Sequence, residues 1–163
     1  MSQKLNLQAL KSNAKKYDKK EKVQLNNDFH VYVYKHFAPS KVVDMLVELL
    51  TDYEESKKQK LGLESISRQD WLYFMIIKTF TDLNISPVLK NKIATYLQIR
   101  DSDIYPLLTF AFPKESYERV VKMMNSIDNQ LGELKNFDQN KLQEIVENVS
   151  ALEETKEVPQ KES

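Results

Sequence analysis

The chain has 163 residues, 41% of them hydrophobic, and its 24 basic and 24 acidic side chains leave a formal charge of zero. That length suffices for one domain with a real core plus tails, and the balanced charge removes the whole-chain signature of a nucleic-acid binder. The absence of Cys excludes a disulfide framework and a thiolate metal site, and glycine at Gly62 and Gly132 alone argues against phosphate loops and a turn-dense β fold. No apolar signal core stands at the N-terminus. The longest uninterrupted apolar run, Trp71–Ile77, is far short of the ~20 residues that span a bilayer. A soluble cytoplasmic protein is the expectation. Charge is uneven, however: residues 1–22 carry seven Lys against Asp18 and Glu21, and residues 133–163 carry eight acids against four Lys.

Residues 1–21 form a basic N-terminal arm. Leu5, Leu7 and Leu10 permit a short docked helix there, and the lysines that follow suit a frayed segment equally well. From Lys22 the period falls to two. Val23 and Leu25, then Phe29, Val31 and Val33, alternate with other residues around the turn-forming Asn26, Asn27 and Asp28. This predicts a β-hairpin with one face on the helices, because two strands alone are marginal in water. Ser40 can cap a helix in which Val42, Leu46, Leu49 and Tyr53 form an inward stripe of about four turns. The polar run through Lys60 reads as a helix end and an exposed loop closed by Gly62.

Asp70–Leu83 is the most apolar stretch. Trp71, Phe74 and Met75 line one side of a helix and Leu72, Ile76, Phe80 and Leu83 another, which places it at the centre of a bundle. Ser67 followed by Asp70 supplies its N-terminal cap. Ser86-Pro87 opens a further helix with Leu89, Ile93, Tyr96 and Leu97 inward. Asp101-Ser102-Asp103 then breaks the pattern before a short apolar helix, Ile104 to Phe112. Tyr117, Val120, Met124, Ile127, Leu131 and Leu134 follow at alternating spacings of three and four, the cleanest periodicity in the chain. Leu142, Ile145, Val149 and Leu152 repeat the rule in a more acidic helix, and the composition from about Glu153 is that of a disordered tail. The fold class is mainly α, a helical bundle with an N-terminal β-hairpin. Residues 22–135 form the core domain, and residues 136–163 the acidic helix and disordered tail.

Few residues suggest chemistry. His30 and His36 with Asp28 could in principle hold a metal, but no further ligand spacing supports a site, and solvated strand residues are the stronger reading. Asp101, Asp103 and Asp82 read as helix caps rather than as an acid/base pair. Nucleophile-elbow, zincin and Walker sequences are absent. No catalytic or metal residue and no cofactor is assigned, and the expectation is a non-enzymatic protein. The Lys-rich arm with Tyr17 could hold phosphates by counterion release, although a solvated arm is favoured. The Tyr117–Leu134 seam either covers the core helix or offers a face to a long helical partner. On the second reading Tyr117, Val120, Met123, Met124, Ile127 and Leu131 are the candidate partner-binding residues, the methionines giving an adaptable surface.

Three blocks together resemble a known family: the hairpin leading into Phe37-Ala38-Pro39-Ser40-Lys41 and a Val/Leu-rich helix, the core helix containing Phe74-Met75-Ile76-Ile77-Lys78-Thr79-Phe80-Thr81-Asp82-Leu83, and a run of helices ending in an acidic tail. Over residues 22–130 the chain resembles the tail assembly chaperones of long-tailed bacteriophages of Gram-positive hosts. The resemblance implies a small helical protein of the host cytoplasm, absent from the finished virion. It implies binding to the helical tape measure protein, which such chaperones keep soluble, and recruitment of tail tube protein subunits. Oppositely charged ends would also permit self-association. The rival reading is a small nucleic-acid-binding regulator that uses its Lys-rich arm.

Overall fold

The structure is a computed structural model that describes residues 2–131 and 139–157. Helix α1 (Leu7–Ala14) is capped by Asn6, whose side-chain oxygen accepts the Ala9 N–H at 2.8 Å. It forms without docking, for Leu5, Leu7 and Leu10 remain 69%, 76% and 49% exposed. A single 3-10 turn, Lys15–Asp18, leads into β1 (Lys20–Gln24), which pairs antiparallel with β2 (His30–Tyr34). The first strand thus begins inside the segment read from composition as an arm. Asn26 closes the hairpin by accepting the N–H groups of Asp28 and Phe29 at 2.9 and 2.8 Å, an Asx turn. Val31 and Val33 face the core as the alternation predicts, but Phe29 is exposed. It lies in the turn, one residue ahead of β2, where the period of two no longer governs direction.

The hairpin is fastened to the bundle by backbone. Val33 bridges Thr81, the Asp82 N–H donates to the Tyr32 carbonyl, and the Asp82 carboxylate accepts the Tyr32 N–H, both at 3.1 Å. This pairing ends the core helix α3 (Arg68–Phe80) at Phe80, short of Leu83, which stays exposed. Extended backbone at 81–82 cannot also be helical. At the other end Ser67 accepts the Asp70 N–H at 3.1 Å, as the spacing predicts. Between these limits Trp71, Leu72, Phe74, Met75, Ile76, Ile77 and Phe80 are all buried, so the helix is central to the core.

Helix α2 (Pro39–Gln59) is longer than its apolar stripe. The polar residues after Tyr53 stay helical because Ser56 is buried and its hydroxyl accepts the Leu63 N–H at 2.9 Å. The chain then leaves the helix at Lys60, in the left-handed region with φ 57°. Pro39 takes the first helical position, so Ala38 rather than Ser40 is the cap. Helices α4 (Leu89–Arg100) and α5 (Tyr105–Thr109) follow α3, and α6 (Lys114–Leu131) packs on α7 (Gln139–Glu157), which also lies against α2. Within α7 the inward row is Leu142, Val146 and Val149, with Ile145 half-buried and Leu152 exposed, so the acidic helix shares the main core. It continues to Glu157, beyond the point where composition turns tail-like. Leu134 and residues 158–163 lie outside the described residues.

The inward face of α4 carries a charge. Lys92, only 1% exposed, donates to both Asp52 carboxylate oxygens at 2.8 Å and to Glu48 at 2.7 Å. The Trp71 indole N–H donates to Asp52 at 3.2 Å, and the Lys78 ammonium lies 3.3 Å from Glu48. Tyr96 is buried beside this group, Leu89 and Ile93 are half-buried, and Leu97, expected inward, is exposed. The face of α4 is set by Lys92 meeting Glu48 and Asp52, one turn apart on α2, and not by its apolar residues alone. Burial opposes ionisation of both carboxyls. For Glu48 the hydrogen bond and charge of Lys92, with Lys78, outweigh it and hold the group below its usual range. For Asp52 burial prevails, and the carboxyl sits above its usual range.

Removing one partner of such a pair strands the other charge. Lys92→Met should therefore destabilise the fold by about 3–5 kcal/mol in chemical denaturation, and Lys92→Met with Asp52→Asn should recover much of that loss, since Asn keeps an acceptor for Trp71. Glu48, with its lowered value, contributes stability above the unfolded carboxyl range that is lost on acidification. The excess melting temperature of the native chain over Glu48→Gln should accordingly shrink as pH falls through 4.5.

Candidate functional site

Uncovered apolar groups gather where α3, α5 and α6 meet. The loop of Phe110, Ala111, Phe112 and Pro113 connects a five-residue helix to α6. So short a helix cannot turn every large side chain inward: Leu108 and Phe112 are buried, and Phe110 is 85% exposed. Phe112 meets Phe37 edge-on at 5.7 Å, and Phe37 in turn stacks on Phe80 at 3.9 Å. Tyr73 of α3 and Tyr117 of α6 stack with ring centroids 4.8 Å apart. Tyr73, Phe110, Phe112 and Tyr117, together with Thr109, Lys114 and Glu118, line a cleft of about 530 Å³.

The polar equipment of this cleft is sparse. Lys114 and Glu118 pair across one helical turn at 3.6 Å. The Tyr73 hydroxyl accepts from Gln69 at 2.9 Å. Among the described residues the buried Tyr117 hydroxyl has no hydrogen-bond partner, nor has that of Tyr105, whose phenol burial pushes up to about 12. The cleft can therefore receive apolar side chains.

Of the candidate partner-binding residues only Tyr117 reaches this cleft. Val120, Met123, Met124 and Ile127 are buried in the main core, on a helix that α7 covers. The side chain of Leu131 lies outside those described. A partner would reach these buried residues only if the core opened. Sequence reasoning missed Tyr73, Phe110 and Phe112 as a group; the available signal was only Phe110 and Phe112, just after a helix too short to bury both, and nothing local tied Tyr73 of α3 to them. Elsewhere, His30 lies on the outer face of the hairpin, edge-on to Tyr32 at 5.6 Å, and His36 lies beside Lys16, Tyr17 and Ser116. Asp82 is held by the Tyr32 backbone, and Asp101 pairs with Arg100 at 3.2 Å. Among the described residues no three His, Asp or Glu side chains converge on a point that could hold a metal, and no helix is long and apolar enough to cross a membrane.

Comparison with known proteins places the chain. A family model described as YomO matches residues 7–161. The SPbeta prophage-derived protein YomO of Bacillus subtilis (strain 168) is 37% identical over 155 residues, covering 93% of this chain and 92% of that protein. No solved structure matches. The chain belongs to the YomO family.

Proposed function

We propose that this protein is a phage tail assembly chaperone. It binds and solubilises an apolar helical client, the tape measure protein, and helps to recruit tail tube subunits while the tail is built. The role is non-enzymatic, is exercised in the host cytoplasm and ends before the virion is complete. The observation that carries the reading is the aromatic cleft of Tyr73, Phe110, Phe112 and Tyr117, left uncovered in a chain with a prophage relative. The leucines of α1 form a second uncovered stripe with which a client helix could be enclosed.

The energetics suit a holding function. Burying two or three large apolar side chains of a client contributes roughly 1.5–3 kcal/mol each. Association costs on the order of 4–15 kcal/mol in lost freedom and ordering. Three such groups contribute at most about 9 kcal/mol, which exceeds only the lower part of that cost, so the cleft alone holds a client weakly and reversibly and can hand it on. A permanent complex would defeat assembly.

Phe110 is exposed and its side chain is not part of the core, so Phe110→Glu should shift stability by no more than about 0.5 kcal/mol. Co-expressed with the tape measure protein of the same phage, the native chain should raise the client's soluble fraction several-fold, and the Phe110→Glu variant should not. Equal soluble yield with and without the native chain would refute the chaperone role. Equal yield with the variant would remove the cleft from it.

A further inference from the structure

The outer face of the hairpin carries a constellation that the cleft does not use. The register sets Lys20 opposite Tyr34, Lys22 opposite Tyr32 and Gln24 opposite His30, so all six residues share one face. The other face, with Val23, Val31 and Val33, turns to the core. On the outer face Tyr32 is 40% exposed, and Phe29 beside it in the turn is 56% exposed. The Lys41 and Lys20 ammonium groups lie 4.3 and 5.3 Å from the centroid of the Tyr34 ring. Residues 15–41 hold seven Lys against Asp18, Glu21 and Asp28, in a chain whose total charge is zero.

We propose that this face binds single-stranded nucleic acid. Lysines on an edge strand can serve merely to prevent strand-to-strand aggregation. That purpose explains Lys20 and Lys22 but not the uncovered rings of Tyr32 and Phe29 alongside them. Rings for stacking interleaved with ammonium groups for phosphates are the two elements that single-stranded recognition requires. In a duplex the base faces are already stacked on one another, so the rings would have nothing to hold. An acidic peptide would meet the lysines but has no use for the rings. Asp82 is occupied by the Tyr32 N–H, and Glu21, opposite Val33 on the other face, pairs with Lys35 at 2.8 Å, which limits their repulsion of phosphate. The surface and the argument are independent of the chaperone reading.

Fluorescence anisotropy of the full chain with labelled oligothymidylate tests the assignment, with a duplex of equal length and polyglutamate as competitors. Binding should be micromolar at low salt, weaken steeply as salt rises, and yield to neither competitor. Tyr32→Ala should weaken it about tenfold, and Lys20→Glu with Lys22→Glu should abolish it, while Phe110→Glu leaves it unchanged. Phe29→Ser, placed in the turn, carries the same expectation as Tyr32→Ala should the latter loosen the hairpin in circular dichroism. The proposal is overturned by absence of binding at low salt, by effective competition from duplex or polyglutamate, or by unaltered affinity in both aromatic variants.

Discussion

A single ammonium group organises the bundle. Lys92 has three N–H donors, and three carboxylate oxygens of Asp52 and Glu48 receive them at 2.7 to 2.8 Å. Withdrawing a lysine from water costs several kcal/mol, so the side chain is tolerated only where every donor is met. That requirement is directional in a way that apolar contact is not. Leucines on α4 would pack on α2 and α3 in several rotations, whereas the ammonium group fits the one in which carboxylates a turn apart converge on it. The Trp71 indole, donating to the same Asp52, brings α3 into the arrangement. Three helices thereby share one polar contact inside a core otherwise built from large apolar side chains.

A second constraint acts at the far end of α3. Its last turn gives way to extended backbone that pairs with β2, so the hairpin is an annex of the core helix and not a free ribbon. The arrangement meets the weakness of a two-stranded sheet by lending it a third rung. It also determines which hairpin face is wet. With Val31 and Val33 directed inward, the lysines and aromatics of the same strands are necessarily presented outward. The Arg68–Asp128 ion pair and the hydrogen bond from Ser116 to the Lys35 carbonyl connect α6 to these same two ends of the structure.

The surface that results has two distinct characters. Near α5 it is aromatic, with the charges of Lys114 and Glu118 paired to each other; on the hairpin it is aromatic and basic. The assembly role proposed above draws on the first, because a client helix that lacks its final neighbours exposes apolar side chains that such a face can cover. The buried seam of α6 bears on that role in another way. Since Val120, Met123, Met124 and Ile127 are buried in the main core, a client could be seated there only if that core opened, while the cleft around Tyr117 is open without rearrangement.

Much of the fold is legible in the residues themselves. The hairpin follows from alternation around Asn26, the start of α3 from Ser67 and Asp70, and its central place from apolar side chains around most of its girth. These are local relations, decided by neighbours within a turn or two. What periodicity cannot reveal is the identity of a partner. The stripe on α6 looks the same whether α7 or another protein covers it, and Lys92 looks like any solvated lysine until α2 brings Glu48 and Asp52 beside it. The cleft was hidden for the same reason, since Tyr73 and Tyr117 are 44 positions apart in the chain yet stack at 4.8 Å. Sequence determined which segments are helix or strand and which faces are apolar; tertiary structure alone decided which of those faces are left uncovered, because exposure depends on what the rest of the chain places against them.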